Sequence, residues 1–500
     1  MSALTRATGL LLVVGIGGLV PAANTLPAWA QQSSTTPAGP GSYYATPPTT
    51  IGPVPPDTSA PPRPYTKTKQ CVQRSLGQNV DIKEKPWGQQ YLQIEEAQKI
   101  VRAATPDGTA GGGIKVAVID TGVSKHPYFQ GRLEAGGEYV AHTSNGDGLE
   151  DCDGHGTEVA GIIAAKPPAD ADIGFTGVAP DATIVSIRQS SQNYAEKTDT
   201  SGGTQPGQTG NGRQQAQDGS AGNLESLAQA VVHAVNKGVQ VINMSVDNCR
   251  PANGQITEGE AQLQAAVHYA VTSNVVVVAA AGNTSTDCAQ NDQPDPNQPK
   301  NIVTPPWFSK DVLSVAAIDN TGGVAPFSVN GPWVSVAAPG TDIISLDPAA
   351  GSTGLANLTI ENNAESPIQG TSFAAPYVAG VVALVRAKYP KLDALAVMHR
   401  ITSTAQHPAA PGGRDNFVGY GVINPMAALT ASVPSEEGIP PAKAVQLPAD
   451  LPPPNGKDWT PMIVALAGAG GGLVALLITL FVVHTVRRNR PEPASTRKSA

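Results

Sequence analysis

Lys115-Val116-Ala117-Val118-Ile119-Asp120-Thr121-Gly122 is the stretch that decides the fold. A near-continuous apolar run ends in a carboxylate, and the chain then turns at a glycine. An uninterrupted run of this kind fits a strand covered on both faces. Working outward, comparable runs recur at Thr183–Ile187, Val239–Met244, Val275–Ala280, Val312–Ala317 and Val334–Ala337. Helical spacing lies between and after them. One helix is expected over Leu224–Lys237, with Asn223 as its N-cap and Gly238 as its stop. Others are expected over Glu260–Ser273, Ser372–Lys388 and Asp393–Ala405. The alternation predicts an α/β fold with one central, mostly parallel sheet, spanning residues 88–431. In such sheets the chemistry gathers beyond the carboxyl ends of the strands.

Three motifs fall at those ends. Asp120-Thr121-Gly122 alone is ambiguous, because Asp-Thr-Gly also marks proteases in which two carboxylates share a proton. No second Asp-Thr-Gly or Asp-Ser-Gly is present to complete such a pair. In Asp153-Gly154-His155-Gly156-Thr157-Glu158 a histidine between glycines opens an apolar helix, and the glycines keep bulk away from its ring. In Gly370-Thr371-Ser372-Phe373-Ala374-Ala375-Pro376 a serine faces the unpaired N–H groups of a helix start, favourable ground for an oxyanion. Pro376 is read as lying near the first turn, where a missing N–H is tolerated. A weaker fourth element is Ala281-Gly282-Asn283, an amide just past a strand that could donate to a developing negative charge.

In chain order these residues read Asp, His, Ser, and the stretches VAVIDTGV, GHGTEVAGIIAA, GVAPDATI, VINMSV, VVVVAAAGN and GTSFAAPYVAGVVAL resemble the subtilisin-like serine proteases, or subtilases. The resemblance covers about three-fifths of the chain, from Gly113 to Ala428. It implies a serine endopeptidase acting on protein or peptide substrate, with no cofactor; no metal site is expected from the acidic residues, whose ligand spacing is incomplete. Ser372 would be the nucleophile, His155 the general base and Asp120 its orienting partner. Asn283 and the Ser372 N–H would form the oxyanion hole. Ser245, Val246 and Asp247 would border the bound substrate. Where a subtilisin usually has an apolar residue and then glycine, this chain has Val246-Asp247, and the Asp247 side chain either narrows the specificity pocket or points to solvent.

The whole chain is larger than that region. Its 500 residues include 53 Gly and 45 Pro, well above the ordinary share of about 12%. The excess implies one large core flanked by segments that do not pack. A net charge of −8 argues against a general nucleic-acid binder. Arg6, the apolar run Leu10–Val20 and Ala28-Trp29-Ala30 read as a signal peptide over residues 1–30. Residues 31–87 form a Pro-rich extension, short for a folded propeptide. Ser190–Gly222 reads as a long polar surface loop, and residues 432–460 as a Pro-rich linker. Residues 461–486 are apolar enough to span a bilayer, and Arg487, Arg488 and Arg490 place the tail (487–500) in the cytoplasm. The main body then lies on the extracytoplasmic side of a bacterial cell membrane. This layout resembles the mycosins, membrane-anchored subtilases of type VII secretion systems, and implies a secretion membrane complex as partner.

Export allows two disulfides among Cys71, Cys152, Cys249 and Cys288, and three pairings are open. On the sheet that the resemblance implies, Cys249 and Cys288 follow neighbouring strand ends, so Cys71–Cys152 with Cys249–Cys288 is preferred. The first bridge would tie the extension beside His155 as a fixed clamp. Subtilases often bind calcium, but Asp147, Glu150, Asp151 and Asp153 lack a complete ligand spacing and read as a solvated acidic loop.

Overall fold

The computed structural model describes residues 46–49, 51–141, 147–196, 220–293, 295, 298–361, 364–439 and 459–489. The expected signal peptide, most of the polar loop, most of the linker and nearly all of the tail lie outside these residues.

The extension supplies strands β1 (Tyr65–Lys67) and β2 (Gln73–Ser75). Helices α1 (Trp87–Tyr91) and α2 (Ile94–Ala104) follow. The body continues with β3 (Lys115–Asp120), β4 (Leu133–Glu138), α3 (His155–Ala164), β5 (Thr183–Arg188), β6 (Ser191–Glu196) and β7 (Ser220–Ala221). Next come α4 (Leu224–Asn236), β8 (Val241–Met244), β9 (Asn248–Pro251), α5 (Glu258–Thr272), β10 (Val276–Ala280) and β11 (Asn301–Thr304). Then come β12 (Leu313–Ile318), β13 (Val336–Pro339), β14 (Ser345–Leu346), β15 (Leu355–Ala356), β16 (Leu358–Glu361) and β17 (Ala364–Pro367). Helices α6 (Thr371–Lys388), α7 (Ala394–Ser403), α8 (Pro425–Thr430) and α9 (Thr460–Arg488) complete the described chain.

Seven strands form the central sheet in the order β13-β12-β10-β8-β3-β5-β4, and every neighbouring pair is parallel. The predicted apolar runs supply the five inner strands and the edge strand β13, and β10, β12 and β13 are buried along their whole length. Edge strand β4 was not legible. Its sequence Leu-Glu-Ala-Gly-Gly-Glu has neither an apolar run nor alternation, and it is held by pairing to β5 across a bulge. From β3 the chain first builds one side of the sheet through β5 and β4, then crosses to β8. The β3–β8 junction is therefore the switch point, where a crevice opens beyond the strand ends.

Helix α4 begins at the expected cap: Asn223 Oδ1 accepts from Ser226 N, and Ser226 Oγ accepts from Asn223 N. Helix α5 begins two residues before expectation. Glu260 is the third residue of a capping box with Thr257, whose backbone N–H it takes up. The ends of the polar loop are ordered strands, since β6 pairs with β1 of the extension on one side and β7 on the other. Strand β2 of the extension pairs with β16.

The chain divides into two compact units, Met1–Gly438 and Ile439–Ala500. The first runs past Ala431 into the expected linker, because Arg400 pairs with Glu436 and also donates to the Ala428 and Ala431 carbonyls. The second contains α9, which is 29 residues long and whose most apolar 18-residue stretch has a mean hydropathy of 2.3, long and apolar enough to cross a membrane.

Candidate active site

Strand β3 delivers Asp120 to the crevice, fully buried. Its Oδ1 lies 2.6 Å from His155 Nδ1 and also accepts from Thr121 N. A carboxylate on Nδ1 fixes that ring proton and leaves Nε2 as the acceptor. Among the described residues Nε2 makes no hydrogen bond. The Phe373 ring, next to Ser372, packs edge-on against the imidazole at 4.9 Å.

The turn before α3 is built around Asp151. Its carboxylate accepts from Thr121 Oγ1, Gly154 N, Thr157 N and Thr157 Oγ1. Thr121 Oγ1 in turn accepts from Gly156 N. Burial pushes the Asp151 carboxyl up to about 7, against the pull of the Thr157 hydroxyl and the other donors. Asp153 is likewise buried and accepts from Ser191 Oγ and Gln192 N. The solvated acidic loop is thus corrected for these two residues, which face inward and brace the histidine. Glu150 does remain exposed, and pairs with Arg188. Among the described residues no cluster of three His, Cys, Asp or Glu is placed to hold a metal ion. Gly156 is required by close approach, since a Cβ there would meet the Gly122 carbonyl oxygen at 2.0 Å.

Ser372 is the second residue of α6, behind Gly370 as N-cap. Asn283 Oδ1 accepts from Thr371 N at 3.0 Å and from Thr371 Oγ1 at 3.2 Å. With its oxygen so held, the amide N–H₂ is turned toward Gly370. Asn283, Gly370, Ser372 and Phe373 line one cleft of about 340 Å³, together with Asp153 and Arg74. Thr371 was missed in the sequence, although it stands in the same motif as Ser372. Arg74 had no local signal.

Ser245 is placed differently from the expectation. Its Oγ donates to the Ser372 carbonyl at 2.7 Å. Pro376 is the sixth residue of α6, not part of its first turn, and it lacks the N–H that would reach back four residues to that carbonyl. Ser245 therefore satisfies an acceptor that Pro376 orphans. Val246 and Asp247 are buried, so Asp247 does not point to solvent. None of the three is among the residues lining the cleft.

Cys71 pairs with Cys152 and Cys249 with Cys288. The first bridge joins the extension to the turn carrying His155, and Val72 N donates to the Cys152 carbonyl beside it.

The subtilase family matches residues 111–421. Mycosin-1 of Mycolicibacterium smegmatis is 40% identical over 83% of this chain and 88% of its own length. Mycosin-3 of Mycobacterium tuberculosis is 42% identical over 76% of this chain and 81% of its own. The crystal structure of MycP1 from Mycobacterium smegmatis is similar with a TM-score of 0.66 at 38% identity, covering 79% of this chain and 97% of that one. A chain in the periplasmic assembly from the ESX-5 inner membrane complex gives 0.69 at 40% identity, covering 82% and 100%. A motif order, a parallel sheet with its crevice at β3–β8 and these relatives all lead to one assignment: the chain belongs to the subtilases and, within them, to the mycosins.

Proposed function

We propose that the protein is a membrane-anchored serine endopeptidase that cleaves exported protein through an acyl-enzyme on Ser372. His155 Nε2 takes the Ser372 proton and passes it to the leaving amine, while Asp120 holds the ring and stabilises its charged form. The Asn283 amide and the Ser372 N–H receive the oxyanion. The observation that carries this reading is the buried 2.6 Å contact between His155 and Asp120, set behind a cleft shared by Ser372 and Asn283. The body acts on the extracytoplasmic side, with α9 as the single anchor. The described part of the extension, residues 46–49 and 51–87, serves as a fixed clamp on the peptidase body, not as a detachable propeptide; its first residues, 31–45, lie outside the described residues. Ser245, Val246 and Asp247 shape the substrate side of β8 from behind.

The test is labelling of the full-length protein in detergent with a serine-reactive fluorophosphonate, beside Ser372→Ala. Labelling of the wild type alone supports the triad. A folded wild type that does not label overturns it.

A second reading is a structural role in a type VII secretion membrane complex, independent of proteolysis. It is favoured by the similarity to chains of ESX-5 inner membrane complexes, which extends over 88% of this chain in the intact assembly. Secretion restored to a deletion strain by Ser372→Ala would support it.

A further inference from the structure

We infer that Glu158, one helical turn beyond His155, cancels the charge of Arg74 and thereby sets the pH at which the His155–Asp120 pair accepts the Ser372 proton. This rests on the Ser372–His155–Asp120 reading, and it makes Glu158 and Arg74 positioning residues.

Arg74 comes from outside the peptidase body. It sits on β2 of the extension, three residues past Cys71, whose partner Cys152 precedes His155 by three. Its side chain is 5% exposed and reaches into the turn that carries the histidine. Nε donates to Glu158 Oε1, Nη1 to Thr359 Oγ1 at 2.9 Å and Nη2 to the Asp153 carbonyl at 3.2 Å. A cation is thus locked beside the triad by three elements distant in sequence. Glu158 is fully buried, and its Oε2 makes no hydrogen bond among the described residues. Burial holds the Glu158 carboxyl above its ordinary value, and the Arg74 guanidinium, whose Nε donates to it, pulls it back toward the anion.

The charged groups around His155 can be named element by element. Asp120 ends β3, and Arg188 lies opposite it at the end of β5, where Glu138 and Glu150 face it. Asp151 and Asp153 lie in the turn before α3, and Asp347 follows β14. Arg74 enters from the extension. A guanidinium at this position, left uncancelled, would disfavour the imidazolium that forms when His155 accepts the proton. Glu158 supplies the opposite charge from the helix that carries His155 itself. A clasp holding the extension would explain an ion pair, but not an effect on the proton acceptor, and pH separates the two.

The experiment follows the rate of fluorophosphonate labelling of Ser372 from pH 5 to 9, on the full chain in detergent. Glu158→Gln keeps the shape and a hydrogen-bonding oxygen for Arg74 but removes the negative charge. The midpoint of its acid limb is expected about one pH unit below wild type. One unit below the wild-type midpoint it then labels about fivefold faster, each rate relative to its own plateau. Arg74→Met with Glu158→Gln removes both charges and returns the limb to the wild-type position. An unmoved limb in Glu158→Gln overturns the inference, as does an equal downward shift in the double variant. Arg74→Met alone is a second check should Glu158→Gln not fold: it is expected to show no downward shift, and a downward shift overturns the inference. A folded wild type without labelling overturns the triad reading first, and the inference with it.

Discussion

Asn283 is oriented by what it accepts. Two hydrogen bonds from Thr371 occupy its oxygen, and this leaves only the N–H₂ to meet a substrate oxygen. Asn283→Ala is therefore expected to lower turnover by about 10²–10³ while the circular dichroism stays unchanged. Unchanged turnover would remove Asn283 from the oxyanion hole. His126 gives a pH dependence unrelated to catalysis. Its Nδ1 accepts from Tyr128 N, its Nε2 meets the Gly354 carbonyl, and the ring is buried. Burial holds the imidazole below its ordinary 6.5, against the Gly354 carbonyl and the Asp347 charge. The folded state thus disfavours the extra proton. Its stabilising contribution is complete above about pH 6.5 and is lost as pH falls through the lower folded value. The melting temperature of the wild type should drop between pH 7.5 and pH 5, and His126→Asn, which keeps an acceptor for Tyr128 N, should drop less. Equal drops would place the acid sensitivity elsewhere. At this scale the sequence was most readable where a residue's place is declared by its neighbours, as with Asp120 at the end of β3, His155 at the start of α3 and Ser372 at the start of α6. Arg74 was unreadable because its partners Glu158 and Thr359 lie 84 and 285 positions away.

Helix α6 shows how an element reaches across to another to complete itself. Pro376 removes one rung of the helix, and Ser245 at the end of β8 replaces it with a hydroxyl. Ser245→Ala should cost about 1–3 kcal/mol, the penalty for a buried acceptor left unpaired. Pro376→Ala restores the backbone N–H, so in that background the same substitution should cost less than about 0.5 kcal/mol. Urea unfolding of the four proteins decides it. Equal costs in both backgrounds would assign the hydroxyl's value to its contact with Asn243 instead. Elements with their own local chemistry were legible: the buried runs of β3 and β10, and α4 with its Asn223 cap. Strand β4 and the strands around the extension were not, because Leu133–Glu138, Tyr65–Lys67 and Gln73–Ser75 become strands only through their partners. Tertiary pairing, not propensity, makes them.

At the scale of the whole chain, the extension and the peptidase body fold as one unit. The extension is fastened by β1 to β6, by β2 to β16, by Asp57 to His233 and Asn236, and by the Cys71–Cys152 bridge. The strand pairs are three residues long and the Asp57 contacts are partly exposed, so each alone is weak. The bridge is the covalent member of the set, and it spans 81 positions against 39 for Cys249–Cys288. Longer closed loops restrict the unfolded chain more. Replacing Cys71 and Cys152 together by Ser should lower stability by about 2–4 kcal/mol in denaturant unfolding, and replacing Cys249 and Cys288 by somewhat less. The two pairs should also differ in how they fail. Without Cys71–Cys152 the extension is held only by its short strands and surface contacts, and an added protease should cut within residues 52–64 before the body unfolds. Without Cys249–Cys288 the extension keeps all its fastenings, and cutting there should stay at the wild-type rate. Equal cutting in both variants would mean that the bridge does not hold the extension to the body, and that the strand pairs alone suffice.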